Sequence, residues 1–299
     1  METEAVIKEQ SSVADEEPVV WSIGIYTGAT LLGLEPAAEA SNPVISPKDV
    51  SDVPAEFVAD PFMIDKDGTW HMFFEVMNAE TQKGQIGLAT SEDGFAWRYE
   101  RIVLGEPFHL SYPYVFSVNG EYYMIPETLR RNAISLYRAD PFPVRWSLAA
   151  TLVDGAWSDP SIFFYEGNWW LFASPASPKN DTLCLFHAES ARGAWHAHPM
   201  NPIIAGDNQI ARPAGRVTVT DSGVIRFTQA CYPDYGMHVR AFQILDLTTT
   251  SYAETEVERS PILAPGESWN SSGMHHVDPH WVDGRWLACV DGWRVEREV

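Results

Sequence analysis

The chain has 299 residues and a formal charge of −21 at pH 7, with twelve Trp, eleven Tyr and fourteen Phe. That length accommodates one all-β domain with a full core, and the acidic balance opposes charge-driven binding to nucleic acid or anionic membranes. No apolar run reaches the roughly eighteen residues needed to read as a membrane span, so no membrane insertion is expected. In chain order, residues 1–20 lack a basic stretch followed by an apolar one. They read as a disordered acidic tail rather than a secretory leader. Trp21–Gly28 (WSIGIYTG) is strand-like, and residues 35–55 form an irregular connection.

Five X-Pro dipeptides then open similar patterns: Asp60-Pro61, Tyr112-Pro113, Asp159-Pro160, Arg212-Pro213 and Asp278-Pro279. Their starts are separated by 52, 47, 53 and 66 residues. The first three run in register as DPFMIDKDGTWHMFFE, YPYVFSVNGEYYMIPE and DPSIFFYEGNWWLFAS, each with a turn glycine eight residues after the leading residue (Gly68, Gly120, Gly167). Strand, glycine turn, aromatic strand and polar end, repeated at this period, predict a five-bladed β-propeller. A third strand and a fourth segment follow each hairpin: GQIGLATSED with FAWRYERIV, NAISLYRAD with VRWSLAATL, DTLCLFHAES with GAWHAHPM, and MHVRAFQILDL with SYAETEV. The fifth repeat runs out at Trp293, and Trp21–Gly28 matches the missing third strand. An N-terminal strand completing the last blade closes the ring and removes its open edges. Residues 21–299 therefore read as a single domain.

Innermost strands line a propeller's channel, which places Asp60, Tyr112, Asp159, Arg212 and Asp278 at corresponding points round one axis. The ends of the second strands add Glu75, Glu127, Ser174, Gln229 and Asp291. Six carboxylates in these two rings are hard to explain by packing, because buried unpaired charge costs several kcal/mol. In the fifth repeat, strand alternation puts His276, Asp278 and His280 on one face, a set competent to bind zinc, iron or another transition ion. His275 points the other way on that count and is expected between blades. Trp157 and Tyr112, beside the X-Pro sites, offer flat surfaces for sugar rings. Cys184, Cys231 and Cys289 stand singly and far apart, which fits reduced thiols in a cytoplasmic protein.

On these motifs the chain resembles the five-bladed propeller glycosidases, the arabinanase/xylosidase and invertase-like enzymes. More closely, WSIGIYTG, FVADPFMI, MFFEV, SYPYVF, YYMIPET and HHVDPH are similar to the propeller segment of the glucosamine inositolphosphorylceramide transferase family and its stand-alone bacterial relatives. The resemblance covers Trp21 to Trp293. It implies that Asp60 is a base or nucleophile and that Asp159 tunes its pKa and holds a sugar hydroxyl. The glycosidases' later Glu-Gly-Pro or Glu-Cys-Pro acid motif is missing; Arg212-Pro-Ala-Gly215 stands there. The proton donor must then be Glu75 or Glu127. Arg212 either binds an anionic substrate group or keeps a neighbouring carboxylate ionised. The function expected is that of a glycoside hydrolase or a glycosyl-transferring relative acting on a small molecule or oligosaccharide, with substrate bound by Tyr112, Trp157, Arg212, His276, Asp278 and His280. The alternatives are a non-catalytic carbohydrate-binding propeller and a metal-assisted biosynthetic tailoring enzyme. No cofactor is required as first choice; a divalent ion in the central channel is the alternative.

Overall fold

The computed structural model describes residues 19–296, and its strands form five antiparallel sheets round one axis. The chain begins with β1 (Val19–Gly28) and the two-residue β2 (Glu35–Pro36). The first blade is β3 (Ala55–Lys66), β4 (Thr69–Asn78), β5 (Lys83–Ser91) and β6 (Arg98–Leu104). The second is β7 (Ser111–Val118), β8 (Glu121–Glu127), β9 (Ala133–Ala139) and β10 (Trp146–Asp154). The third is β11 (Trp157–Tyr165), β12 (Asn168–Pro175), β13 (Thr182–Ala188), β14 (His196–Ala197) and β15 (Ile204–Ala205). The fourth comprises β16 (Thr218–Thr220), β17 (Gly223–Gln229), β18 (Val239–Leu247) and β19 (Tyr252–Glu256). The fifth pairs β20 (Val277–Val282) and β21 (Arg285–Val295) with β1 and then β2.

The ring closes as the repeats imply. β1 pairs with β21 from Val19↔Val295 to Gly28↔Trp286, so the N-terminus supplies the fifth blade's two outer strands. Val19 and Val20 already belong to this ladder, and the rest of the expected acidic tail lies outside the described residues. Two segments depart from the expected strand plan. The third blade's outer segment shrinks to β14 and β15, because Gly193, Pro199, Pro202 and Gly206 interrupt it and proline cannot donate to a ladder. In the fourth blade Arg212–Val217 leaves the inner strand irregular. Gly215 sits at φ 115°, and a Cβ there would lie 1.9 Å from the Val277 carbonyl oxygen of the next blade. Only glycine permits that approach.

Aromatic side chains fill the wedges between blades. Phe62, Phe73, Tyr114 and Ile125 belong to one cluster between the first and second blades, with Phe73 edge-on to Trp146 at 5.3 Å. Phe163, Phe172, Trp170 and Tyr252 do the same between the third and fourth. Burying a side chain of this size contributes about 1.5–3 kcal/mol. Among the described residues no helix is long and apolar enough to cross a membrane.

Candidate active site in the central funnel

The inner strands β3, β7 and β11 share one irregularity that positions the site. Asp60, Tyr112 and Asp159 all take left-handed φ values of 54°, 47° and 50°, and ladder register shifts at each of these points. The resulting bulge aims each backbone N–H at a carboxylate: Asp60 N–H at Asp291 Oδ2 (2.9 Å), Tyr112 N–H at Asp60 Oδ2 (3.3 Å) and Asp159 N–H at Glu127 Oε2 (3.1 Å). Strain at such residues costs of order 1–3 kcal/mol each and persists where surroundings enforce it. Here the carboxylate acceptor does so.

One cavity of about 310 Å³ opens at this end of the channel. Asp60, Glu75, Glu127, Asp159 and Arg212 all line it, so the structure brings these five sequence-predicted residues together. Asp159 is clamped through Oδ2 by Arg212 Nε at 2.6 Å and by the Gln229 amide at 3.2 Å. Arg212 also donates to Asn180 Oδ1 at 2.7 Å and lies 3.6 Å from Glu127, with its guanidinium 5.5 Å from the Tyr235 ring. Burial, reinforced by the charges of Asp60 and Glu127, raises Glu75 well above the ordinary carboxylate range. Burial and the neighbouring Asp159 push Glu127 up to about 8, although Arg212 opposes them. Burial likewise lifts Asp60 to about 7 against the pull of His275.

His275 stands beside Asp60. Its Nδ1 is 2.7 Å from Asp291 Oδ1, its Nε2 is 3.7 Å from Asp60 Oδ1, and its ring packs against Trp21 with centroids 4.2 Å apart. Burial alone would lower the His275 pKa, but the charges of Asp291 and Asp60 outweigh it and the net shift is upward.

The fifth-repeat constellation needs correction. β20 begins at Val277, so Gly273–His276 lies outside the ladder and period-two alternation does not extend back to the histidines. His275, expected between blades, lines the cavity, whereas His276 is fully buried, edge-on to Phe62 and Tyr112, with Nδ1 3.6 Å from Asp60 Oδ1 and, among the described residues, neither ring nitrogen hydrogen-bonded. Asp278 lies deeper and accepts from Arg216, the Met63 N–H (2.6 Å) and His280 Nε2 (2.9 Å). Arg216 also donates to the Val115 carbonyl and lies over Tyr114, so its guanidinium bridges the second and fifth blades. His276, Asp278 and His280 therefore do not line the cavity or converge as metal ligands. Among the described residues, the trio whose ligand atoms lie within 4.8 Å of one another is Asp60, His275 and Asp291.

Two proposed sugar platforms also fall elsewhere. Tyr112 is 1% exposed, with its hydroxyl bonded to Ser161 (2.8 Å) and the Gly215 carbonyl (3.0 Å). Trp157 donates to the Asp154 carbonyl and packs on Phe186. Trp21, Phe57 and Tyr235 supply the aromatic wall instead, and His109 lines it too. One signal for these residues was present in the register: Phe57 and His109 each stand three positions ahead of their X-Pro residue. Tyr235 and Asn180 lie in loops that follow no repeat.

Residues 13–293 match the family described as glucosamine inositolphosphorylceramide transferase 1, N-terminal. Over 298 residues, or 92% of this chain, the sequence is 36% identical to glucosamine inositolphosphorylceramide transferase 1 of Oryza sativa subsp. japonica. Identity to the Arabidopsis thaliana protein of the same name is also 36% over 298 residues. The chain spans about 40% of the length of these relatives. Among solved structures it is similar to a β-1,2-mannobiose phosphorylase from Listeria innocua, with a TM-score of 0.62, 14% identity, and coverage of 89% of this chain and 96% of that one. An exo-β-1,3-galactanase from Clostridium thermocellum gives a TM-score of 0.59 at 14% identity, covering 82% and 62%. At these identities the structural matches establish the fold.

Proposed function

The chain belongs to the glucosamine inositolphosphorylceramide transferase 1 N-terminal family, and on that premise we propose that its funnel is a carbohydrate-active site that breaks glycosidic bonds. Glu75 carries the reading: it is 5% exposed, lines the cavity, and burial with neighbouring negative charge raises its pKa well above the ordinary carboxylate range. Such a carboxyl can give its proton to the departing glycosidic oxygen as the carbon–oxygen bond breaks. Asp60 then adds to the anomeric carbon, or takes the proton of a water or sugar hydroxyl that does. The first acceptor makes the chemistry hydrolysis and the second makes it transfer. Asp159, held by Arg212, orders the acidic ring. Arg212 donates to Asp159 and Asn180 and faces Glu127 at 3.6 Å, which favours the reading that it balances the ring rather than grips an anionic substrate. Trp21, Phe57 and Tyr235 offer the apolar faces against which a sugar ring stacks. A reducing compartment such as the cytoplasm belongs to the same proposal, and the three cysteines are free.

The test is turnover of a panel of aryl glycosides and sugar-nucleotide donors by the wild type, E75Q and D60N, with sugar affinity measured by calorimetry. Removing either group should lower kcat about 10²- to 10⁴-fold while affinity holds. Sugar bound unchanged and without turnover, with E75Q and D60N altering affinity only, would instead identify a binding module. The Asp60–His275–Asp291 trio favours a second reading, a metal-assisted reaction. It requires stoichiometric metal in the purified protein, lost together with activity in H275A.

A further inference from the structure

We propose that His109 is the positioning residue of Glu75, donating from Nε2 to Glu75 Oε1 and so fixing which carboxyl oxygen presents the proton. This rests on Glu75 as proton donor. His109 comes from the connection into the second blade and reaches back to the first. Its Nδ1 accepts the Gly84 N–H at 2.9 Å, and Gly84 O accepts the Leu110 N–H at 3.0 Å, so one residue of β5 grips two successive residues of the connection. An Nδ1 that accepts leaves the ring proton on Nε2, and Nε2 lies 3.2 Å from Glu75 Oε1. Among the described residues that buried oxygen has no other partner, and the present alignment falls short of a hydrogen bond. Hydrogen bonds of this kind often tighten only when substrate is bound.

The approach is built into the backbone. A Cβ at Gly84 would lie 2.2 Å from Leu110 O, 2.7 Å from Glu75 Oε1 and 2.9 Å from His109 Cε1. Any larger residue would force the three apart. The His109 side chain is 31% exposed, so one edge of the ring meets the cavity. Burial, with Arg130 nearby, lowers His109 to about 4, which keeps it a neutral donor through the physiological range. The groups whose charges raise Glu75 are Asp60, Glu127, Asp159 and Asp291, and Arg212 and His275 line the same cavity. His109 is the neutral N–H beside it.

A donor to a carboxylate favours the ionised form. Glu75 must be protonated to act, so activity falls as pH rises through its pKa. H109F should therefore move the alkaline limb of kcat/KM to higher pH, while misplacement of the carboxyl lowers kcat by on the order of 10²-fold. KM should hold, and H109Q, which keeps a side-chain N–H, should recover part of the limb position. Independently of turnover, long-range ¹⁵N–¹H spectra of histidine-labelled wild type should show His109 as the neutral Nε2–H tautomer at pH 6. Its Nε2 resonance should move in E75Q and in G84A. An Nδ1–H tautomer, or an H109F pH profile superimposable on wild type, overturns the assignment. If the wild type turns over no substrate, the catalytic reading of Glu75 fails; a correct tautomer with an E75Q response would still uphold the contact.

Discussion

Asp60, Glu75, Glu127 and Asp159 were legible as single residues because they occupy repeated positions, and each lines the funnel. What no residue count could supply is their mutual influence. Asp60 and Glu127 have folded pKa values of about 7 and 8, above the ordinary carboxylate value of roughly 4. Between those limits the folded state holds protons that the unfolded chain releases. The stabilisation is complete below the unfolded pKa and is lost as pH rises through the folded one. His275, also raised, acts in the same direction. Asp278 and Asp291 are lowered, so their contribution is lost only on acidification through their depressed values. Urea unfolding should therefore give lower stability at pH 8 than at pH 5, with a slope no steeper than ~1.4 kcal/mol per pH unit for each group. D60N should flatten it. A wild-type profile level across this range would contradict the raised values.

Among elements, sequence periodicity works where the ladder is regular and fails at its interruptions. The second strands β4 and β8 place the expected carboxylates in the cavity, while Asp291 on β21 is fully buried against His275. The inner strands bulge at Asp60, Tyr112 and Asp159, and in the fifth repeat the ladder starts only after the histidines, so period-two counting chose His276 over His275. The fourth blade relies on a buried ion pair for its order. Arg226, 2% exposed, meets both oxygens of Glu254 at 2.5 and 2.6 Å, and Tyr252 donates to Glu254 at 2.5 Å. E254L leaves that guanidinium buried and uncompensated and should cost about 3–5 kcal/mol in urea unfolding. The R226M/E254L double variant should recover most of that loss. A double-variant loss equal to the sum of the separate R226M and E254L losses would mean that the pair carries no coupling.

At the scale of the molecule, closure is what holds the funnel. β1 pairs with β21 over ten residues, the Asp60 N–H bonds to Asp291, and Gly215 touches Val277. The first completes the fifth blade, and the other two join that blade to the first and the fourth. Removing residues 1–36 deletes both outer strands of that blade and bares the edge of β21, an invitation to aggregate. The truncated chain should lose its cooperative thermal transition and elute as aggregate on size exclusion. A monomer with the wild-type transition would show that the ring holds without this strand.

The sequence by itself determined the architecture: five repeats, their hairpins, and an N-terminal strand to complete the last. It did so because alternation and turn chemistry are local properties that recur in register. It also identified the acidic groups, because repeated positions in a propeller converge on one axis. The tertiary structure alone decided which histidine lines the cavity, that Arg216 pairs with Asp278, and that His109 reaches Glu75 from the connection into the second blade. Those outcomes depend on bulges, on one glycine's close approach and on contacts between residues far apart in the chain. Local pattern carries none of that information.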